Sequence, residues 1–99
     1  MKLFGNNILV EELRDNLVLD GVLIKYDDSN QYMFAKIINL PEKLISELDL
    51  NVADIIIINR VTKLPFIDGN YFINSNNIIA SLTKEEYNKL VSKGVDNNE

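Results

Sequence analysis

Four consecutive isoleucines, Ile55–Ile58, limit the folds open to this chain more than any other feature. Each side chain branches at Cβ, which restricts its rotamers in a helix and favours an extended backbone. Neighbouring residues of a strand point to opposite faces, so an unbroken apolar run is typical of a strand that is buried on both sides. Leu48, Leu50 and Val52 precede the run at every second position, and we predict one strand over residues 48–60.

Shorter apolar stretches on either side of this run also have strand character. The segments 7–13 (NILVEEL) and 32–40 (YMFAKIINL) are rich in aliphatic side chains, and a proline follows the second. Residues 63–73 contain the turn-forming pair Asp68–Gly69, and an asparagine-rich turn divides residues 73–82 into two short strands, which we predict to form a hairpin. Several short strands with polar turns indicate a mostly β fold, a small barrel or a sandwich.

Two segments have helical patterns. Residues 41–48 begin with a proline, which suits the first helical turn, and carry three aliphatic side chains on one side. Residues 83–94 begin with Thr-x-x-Glu, a capping box in which each side chain bonds the backbone N–H of the other residue, and they end at a glycine. We therefore divide the chain into one β domain, 1–82, and a C-terminal helix with a tail, 83–99.

The composition argues against several classes of function. The chain has 99 residues, a natural length for one domain, and contains no cysteine, histidine or tryptophan. Disulfides, thiol nucleophiles, imidazole acid–base catalysis and the usual zinc sites all need the missing residues. The 10 basic residues are scattered and outnumbered by 15 acidic ones, for a net charge of −5. Because DNA and RNA are polyanions, we expect no nucleic-acid partner.

Neither a membrane segment nor a catalytic site is visible in the sequence. No apolar run approaches the length of a membrane span, and we expect a cytoplasmic protein without a membrane partner. The carboxylate pair Asp27–Asp28 lies in a polar loop with no neighbouring base or glycine-rich cradle, so a solvated loop is the simpler interpretation. We expect the protein not to be an enzyme and to hold no cofactor or metal.

The segment Asn16–Ile24, NLVLDGVLI, combines six large aliphatic side chains with a central Asp20–Gly21 pair, between two charged segments. An Asp-Gly pair favours the tight turn of a β-hairpin. The residues by themselves leave two interpretations open. The hairpin either packs into the protein's own core or offers its apolar side chains to a partner.

The order of these segments resembles that of the GroES-type co-chaperonins, the ring-shaped lids of chaperonins. That family has a first strand, a mobile loop with glycine before an aliphatic tripeptide, a central motif with Gly-Asp, and a closing pair of strands. Here DGVLI (20–24) stands at the loop motif, and LNVADIIII (50–58) stands at the central motif with Ala53 at the usual glycine. YFINSNNIIASL (71–82) stands at the closing strands, and the resemblance covers about residues 7–82.

Three features depart from the family pattern. The segment 41–48 is short and helix-like where many members carry a roof hairpin, Gly21 stands alone instead of a glycine pair, and a helix follows Leu82. A shortened lid of this kind fits a divergent, virus-encoded member of the family.

The resemblance implies a co-chaperonin, which caps a chaperonin and assists protein folding driven by the partner's ATP hydrolysis. A mobile loop over about residues 14–31 would be loosely ordered in the free protein. It would dock on the apical domain of a GroEL-type chaperonin through Gly21, Val22, Leu23 and Ile24.

The resemblance also implies a homo-oligomeric ring, a heptamer, in which the first strand of one subunit pairs with the last strand of its neighbour. That pairing would place these residues at the subunit interface: Ile8, Leu9, Val10, Ile78, Ile79, Ala80 and Leu82. For the same segments, pairing within one chain is the alternative.

Two other functions stay open at this stage. One is a structural adaptor, for instance in a viral particle, that assembles without a chaperonin. The other is an OB-like or SH3-like module that binds nucleic acid or peptide, which would need exposed aromatic side chains beside cations. The candidates are Phe34, Phe66, Tyr71 and Phe72, whose strand-like surroundings favour a place in the core.

Overall fold

The strands of this protein form one large antiparallel sheet and one separate hairpin. The computed structural model describes the backbone of residues 1–96 and the side chains of residues 1–91, so residues 97–99 of the predicted tail lie outside it. In chain order the elements are β1 (Asn7–Leu13), β2 (Leu17–Leu19), β3 (Val22–Ile24), β4 (Tyr32–Asn39), α1 (Glu42–Leu48), β5 (Ile55–Asn59), a 3-10 turn (Arg60–Thr62), β6 (Leu64–Pro65), β7 (Asn70–Asn74), a second 3-10 turn (Ser75–Asn77), β8 (Ile78–Leu82) and α2 (Lys84–Asp96). The mostly β fold with a C-terminal helix is therefore as predicted.

The segment 70–82 closes the large sheet into a barrel-like shape. The strand order is β6-β7-β1-β4-β5-β8, with β1, β4 and β5 as a central antiparallel meander. β7 is antiparallel to β1 and β8 is antiparallel to β5, so β7 and β8 run in the same direction. Together they form one bent segment that pairs with both sides of the meander.

The predicted hairpin between the last two strands is wrong, because the asparagine-rich turn does not reverse the chain. The Asn74 side chain accepts a hydrogen bond from the backbone N–H of Asn76, which favours a tight 3-10 turn at residues 75–77. β8 then continues in the direction of β7 and pairs with β5 instead.

The inward faces of the meander build the main hydrophobic core. Alternate residues of β1 and β4 point inward, since successive side chains of a strand face opposite sides. The fully buried members that these three strands contribute are Ile8, Val10, Met33, Ala35, Ile37, Ile56 and Ile58. Ile55, by contrast, belongs to a second cluster with Leu17 and Tyr87. The isoleucine run is thus buried on both faces, as predicted.

The predicted strand over 48–60 is too long at its start. Leu48 ends α1 and Leu50 is buried in the core, but β5 begins only at Ile55. Asp49 and Ala53 both have positive φ, 53° and 77°, and these left-handed residues turn the chain before the strand can begin. The period-two apolar pattern here reflects one buried residue between two turns.

The two helices lie close to their predicted positions. In α1 only Leu44 is buried, whereas Ile45 and Leu48 are exposed, so the predicted one-sided stripe is reduced to a single anchor. α2 begins with the predicted capping box: the Thr83 N–H donates to Glu86 and the Glu86 N–H donates to the Thr83 hydroxyl. The helix passes the glycine at which we predicted its end and continues to Asp96. No helix within residues 1–96 has both the length and the apolar character needed to cross a membrane.

The left-handed backbone at Ala53 gives a testable prediction. An L-residue in this conformation is strained by about 1–2 kcal/mol, while glycine adopts it freely. Glycine also loses about 0.4–1 kcal/mol more in backbone entropy on folding. We expect Ala53→Gly to raise the free energy of unfolding by up to about 1 kcal/mol, measured by urea denaturation.

The matched control is Ala35→Gly, which lies fully buried in β4. There the same change weakens a strand and removes a packed methyl group, so it should destabilise the protein. An equal loss of stability in both variants would contradict the interpretation of Ala53.

Candidate functional site

The apolar segment around Asp20–Gly21 folds into an ordered hairpin. β2 and β3 pair antiparallel, with Leu17 opposite Ile24 and Leu19 opposite Val22. Asp20 and Gly21 both have positive φ, 51° and 80°, as a two-residue type I′ turn requires. The predicted hairpin turn is therefore confirmed, and we refer to residues 17–24 as the hairpin.

The hairpin has an exposed tip and a buried root. At the tip, Leu19, Val22 and Leu23 are 49%, 62% and 46% exposed. At the root, Leu17 and Val18 are 2% and 5% exposed. The side chains best able to contact a partner therefore surround the turn, and we call residues 19–23 the tip.

The predicted contact residues divide between these two regions. Gly21, Val22 and Leu23 are exposed at the tip, as the proposed contact requires. Ile24 is half-buried and packs against the cluster of Leu17 and Tyr87 at the root. One end of the hairpin therefore belongs to the core, whereas the other end is exposed, and its contact with a partner stays a prediction.

The segment 14–31 differs from the predicted mobile loop, since it contains this formed and docked hairpin. The reason is a long-range contact that the sequence does not predict. Leu17 and Val18 bury their side chains, and β2 packs against α2. Apolar burial of this kind stabilises an otherwise marginal two-stranded hairpin.

A buried ion pair holds the loop that follows the hairpin. The Arg60 Nη1 lies 2.6 Å from Glu12 Oε2, and the Tyr26 hydroxyl donates to the same oxygen at 2.7 Å. The Arg60 and Glu12 side chains are only 12% and 5% exposed. Arg60 also donates through Nε to the Asn30 carbonyl and through Nη2 to the Asp27 carbonyl, so it holds residues 26–30 against the sheet.

The surroundings of Glu12 keep its carboxylate ionised. Burial alone would raise the pKa of Glu12, but the hydrogen bonds from Arg60 and Tyr26 and the positive charge of Arg60 outweigh burial and lower that pKa. Sequence reasoning did not find this network because its members lie far apart along the chain. Local position does not single out Arg60 either, because each of the two arginines directly follows a strand.

The base of the hairpin is tied on both sides. The Tyr26 backbone N–H donates to the Asn16 side chain at 2.9 Å, which links the two ends of the hairpin. The Tyr87 hydroxyl donates to Asp15 Oδ2 at 3.0 Å, which links the chain before the hairpin to α2. Burial, together with the neighbouring Asp15 charge, strongly raises the pKa of Tyr87, so its hydroxyl stays protonated as the donor.

The acidic pair in the following loop has a local structural role. Asp27 accepts hydrogen bonds from the backbone N–H and the hydroxyl of Ser29, which forms a turn. These two bonds lower the pKa of Asp27. Among the described residues, no group of three or more acidic side chains is arranged to hold a metal ion.

The structure contradicts the predicted role of Ile8, Leu9 and Val10 as a strand edge that pairs with a neighbouring subunit. β1 is paired with β7 on one side and with β4 on the other, and all three side chains are buried within the chain. The alternative for this strand, pairing within one chain, is therefore the observed one.

The last strand remains available for contact. β8 lies at the end of the sheet, and in the part of the chain that the structure describes its outer edge has no strand partner. Ile79 is 64% exposed and Ala80 is exposed as well. Ile78 and Leu82 are half-buried, against the main core and the second cluster respectively.

The aromatic residues required by the alternative binding module are mostly engaged within the protein. Phe34 packs against Tyr87 with ring centroids 5.9 Å apart, and Tyr71 packs against the main core. Phe66 and Phe72 lie 4.6 Å apart, and of the four candidates only Phe66 counts as exposed. These four side chains therefore do not form the open stacking platform that binding of bases would need.

The buried ion pair gives a prediction with an internal control. Arg60→Ala removes the closest cation from the Glu12 carboxylate, and we expect a loss of about 1–3 kcal/mol in the free energy of unfolding, since the pair is partly buried and Tyr26 still donates to Glu12. Arg14 lies 3.8 Å from the other oxygen of Glu12, but its side chain is 67% exposed. Arg14→Ala should therefore cost about 0–1 kcal/mol. Urea denaturation of both variants checks this, and similar losses would contradict the assignment.

Comparison with known proteins does not identify a family for this chain. No family model, no curated protein and no solved structure matches the chain. Any statement of function therefore rests on the residues, on their arrangement and on the resemblance in segment order.

Proposed function

We propose that this protein is a co-chaperonin of the GroES type, which caps a chaperonin through its apolar hairpin and assists folding driven by the partner's ATP hydrolysis. The observation that carries the proposal is the tip: Leu19, Val22 and Leu23 are held in solvent on an ordered type I′ hairpin. Apolar side chains presented in this way are suited to an apolar groove on another protein.

The backbone at Ala53 supports the resemblance independently of the hairpin. In the segment order, this residue stands where the family carries glycine. Its φ of 77° is a conformation that glycine adopts without strain and alanine rarely adopts. The position therefore has a glycine-type backbone although its residue is not glycine.

The energetics of the tip suit a reversible lid. Full burial of one large aliphatic side chain contributes about 1.5–3 kcal/mol, and only a few such side chains are exposed at the tip. Association itself costs about 4–15 kcal/mol, so a single hairpin binds weakly. A ring that presents several hairpins at once converts weak contacts into firm capping by raising the effective concentration. Each contact stays weak enough for the lid to leave.

The oligomer in this proposal uses β8 and not β1. An open strand edge with an exposed apolar side chain is a common site of association between chains. The outer edge of β8 carries Ile79 in such a position. We propose a closed homo-oligomer, a heptamer by the resemblance, acting in the cytoplasm.

The first prediction from this proposal concerns the tip. Leu23→Asp places a charge in the apolar contact, and we expect co-migration with a GroEL-type chaperonin in the presence of nucleotide to be lost, because desolvating an unpaired carboxylate is costly. Native gel filtration of the mixed proteins measures this. The matched control is Val61→Asp, since Val61 is also aliphatic and exposed (83%) but lies outside the hairpin. Unchanged co-migration of Leu23→Asp would contradict the assigned contact.

The second prediction concerns assembly. Native mass spectrometry should show a closed oligomer for the wild-type chain, and Ile79→Asp should shift it to smaller species, because a charge opposes packing at the β8 edge. Leu23→Asp should leave the oligomer intact. A monomeric wild-type chain would overturn the proposal that the protein forms a ring-shaped lid. A ring that never binds a chaperonin would instead favour a structural adaptor.

A further inference from the structure

The hairpin is not held by the main sheet. β2 and β3 form a separate two-stranded sheet, outside the strand order that runs from β6 to β8. An isolated two-stranded hairpin is marginally stable in water, so contacts with other elements must keep this one formed. Outside its own hairpin, the most extensive packing of β2 is against α2.

α2 is in turn fixed to the body of the protein. Tyr87 is 5% exposed and lies in one cluster with Ile55 of β5, and its ring packs against Phe34 of β4. Leu90 and Val91 are half-buried against the same cluster. The helix thus lies between the hairpin and the sheet, and its apolar side chains contribute to the cluster that joins them.

The same helix carries a polar contact at the base of the hairpin. The Tyr87 hydroxyl donates to Asp15, two residues before β2 begins. The hydrogen bond fixes the point where the chain leaves the body, and the packing of Leu17 fixes the first residue of the strand. These two contacts together set the position and the direction of β2 where it leaves the body of the protein.

We propose that α2 is a positioning element, which holds the hairpin in one orientation so that residues 19–23 are presented ready to bind. The docked helix keeps the hairpin formed in the free protein. The partner then meets a preformed contact and does not have to order a loose loop. α2 is the helix that the family pattern lacks, and the proposal gives it a role. The effect of α2 on chaperonin binding rests on the proposed function.

The expected effect on affinity follows from populations. Binding through one conformation weakens in proportion to the fraction of free molecules that adopt it. If undocking α2 leaves the hairpin formed in about one molecule in ten, the apparent affinity of each hairpin falls about tenfold. The affinity of the whole ring for the chaperonin falls further, because several hairpins bind at once.

Hydrogen exchange of the free, full-length protein tests the positioning role without any partner. Leu90→Asp places a charge in the cluster beneath α2, and Tyr87→Phe removes only the hydroxyl that bonds Asp15. We expect faster exchange of the amides in residues 17–24, by about tenfold or more for Leu90→Asp and less for Tyr87→Phe. The amides of β1 and β4 should keep their protection. Lys89→Ala, on the exposed side of the same helix, is the control and should exchange as the wild type does.

The outcomes separate this inference from the proposed function. If the α2 amides of Leu90→Asp lose their protection but the hairpin amides exchange as slowly as in the wild type, the positioning role is overturned. If Leu90→Asp unfolds the whole chain, Tyr87→Phe decides the question, and hairpin exchange equal to that of Lys89→Ala would overturn the role. Chaperonin affinity is then measured for the same variants. Faster hairpin exchange with undiminished affinity would overturn the effect on binding, whereas a wild-type chain that binds no chaperonin would overturn the proposed function and leave the exchange result valid.

Discussion

The pairing of one bent segment, residues 70–82, with both sides of the central meander is the interaction on which the rest of this structure depends. β7 occupies the free side of β1, and β8 occupies the free side of β5. Ile56 and Ile58 of β5 and the inward faces of β1 and β4 thereby become the interior of a barrel-like fold. A sheet closed in this way hides strand edges that would otherwise associate with other chains.

Closure also determines which surfaces are left for function. β1 is an interior strand and has no edge to offer, while β8 keeps an outer edge at the end of the described sheet. Since β8 leads directly into α2, the helix returns over the outer face of the sheet and packs beside β2. The second cluster, with Leu17, Ile55 and Tyr87 at its centre, joins three elements that are far apart in the sequence. The exposed tip therefore stands on a root that belongs to the core.

The two ends of the hairpin lie in opposite environments, although their side chains are of the same type. Its six aliphatic side chains look alike in the sequence, but the root is buried and the tip is exposed. Burial at the root keeps the hairpin ordered, and exposure at the tip leaves apolar area available, as the proposed docking requires. The ion pair of Glu12 and Arg60 complements this from the other side by holding the chain that returns from the hairpin.

By itself, the sequence determined the features that are encoded locally. The Asp20–Gly21 turn follows from the left-handed backbone that these residues tolerate, the capping box at Thr83 from groups three residues apart, and the doubly buried β5 from its unbroken branched side chains. The strand content and the C-terminal helix follow from the same short-range patterns. The proposed function comes from the resemblance in segment order, and these local patterns do not contain it.

Only the tertiary structure decided which strands pair, which apolar residues are buried, and what holds the hairpin. The asparagine-rich turn was compatible with a hairpin, yet β7 and β8 run on in one direction because the two sides of the meander each offer a strand partner. The resemblance implied an edge strand for Ile8, Leu9 and Val10, but in the structure they lie in an interior strand. The contacts of Arg60 with Glu12 and of Tyr87 with Asp15 join residues 48 and 72 positions apart. Pairings at such separations depend on how the whole chain closes, and no local pattern of side chains encodes them.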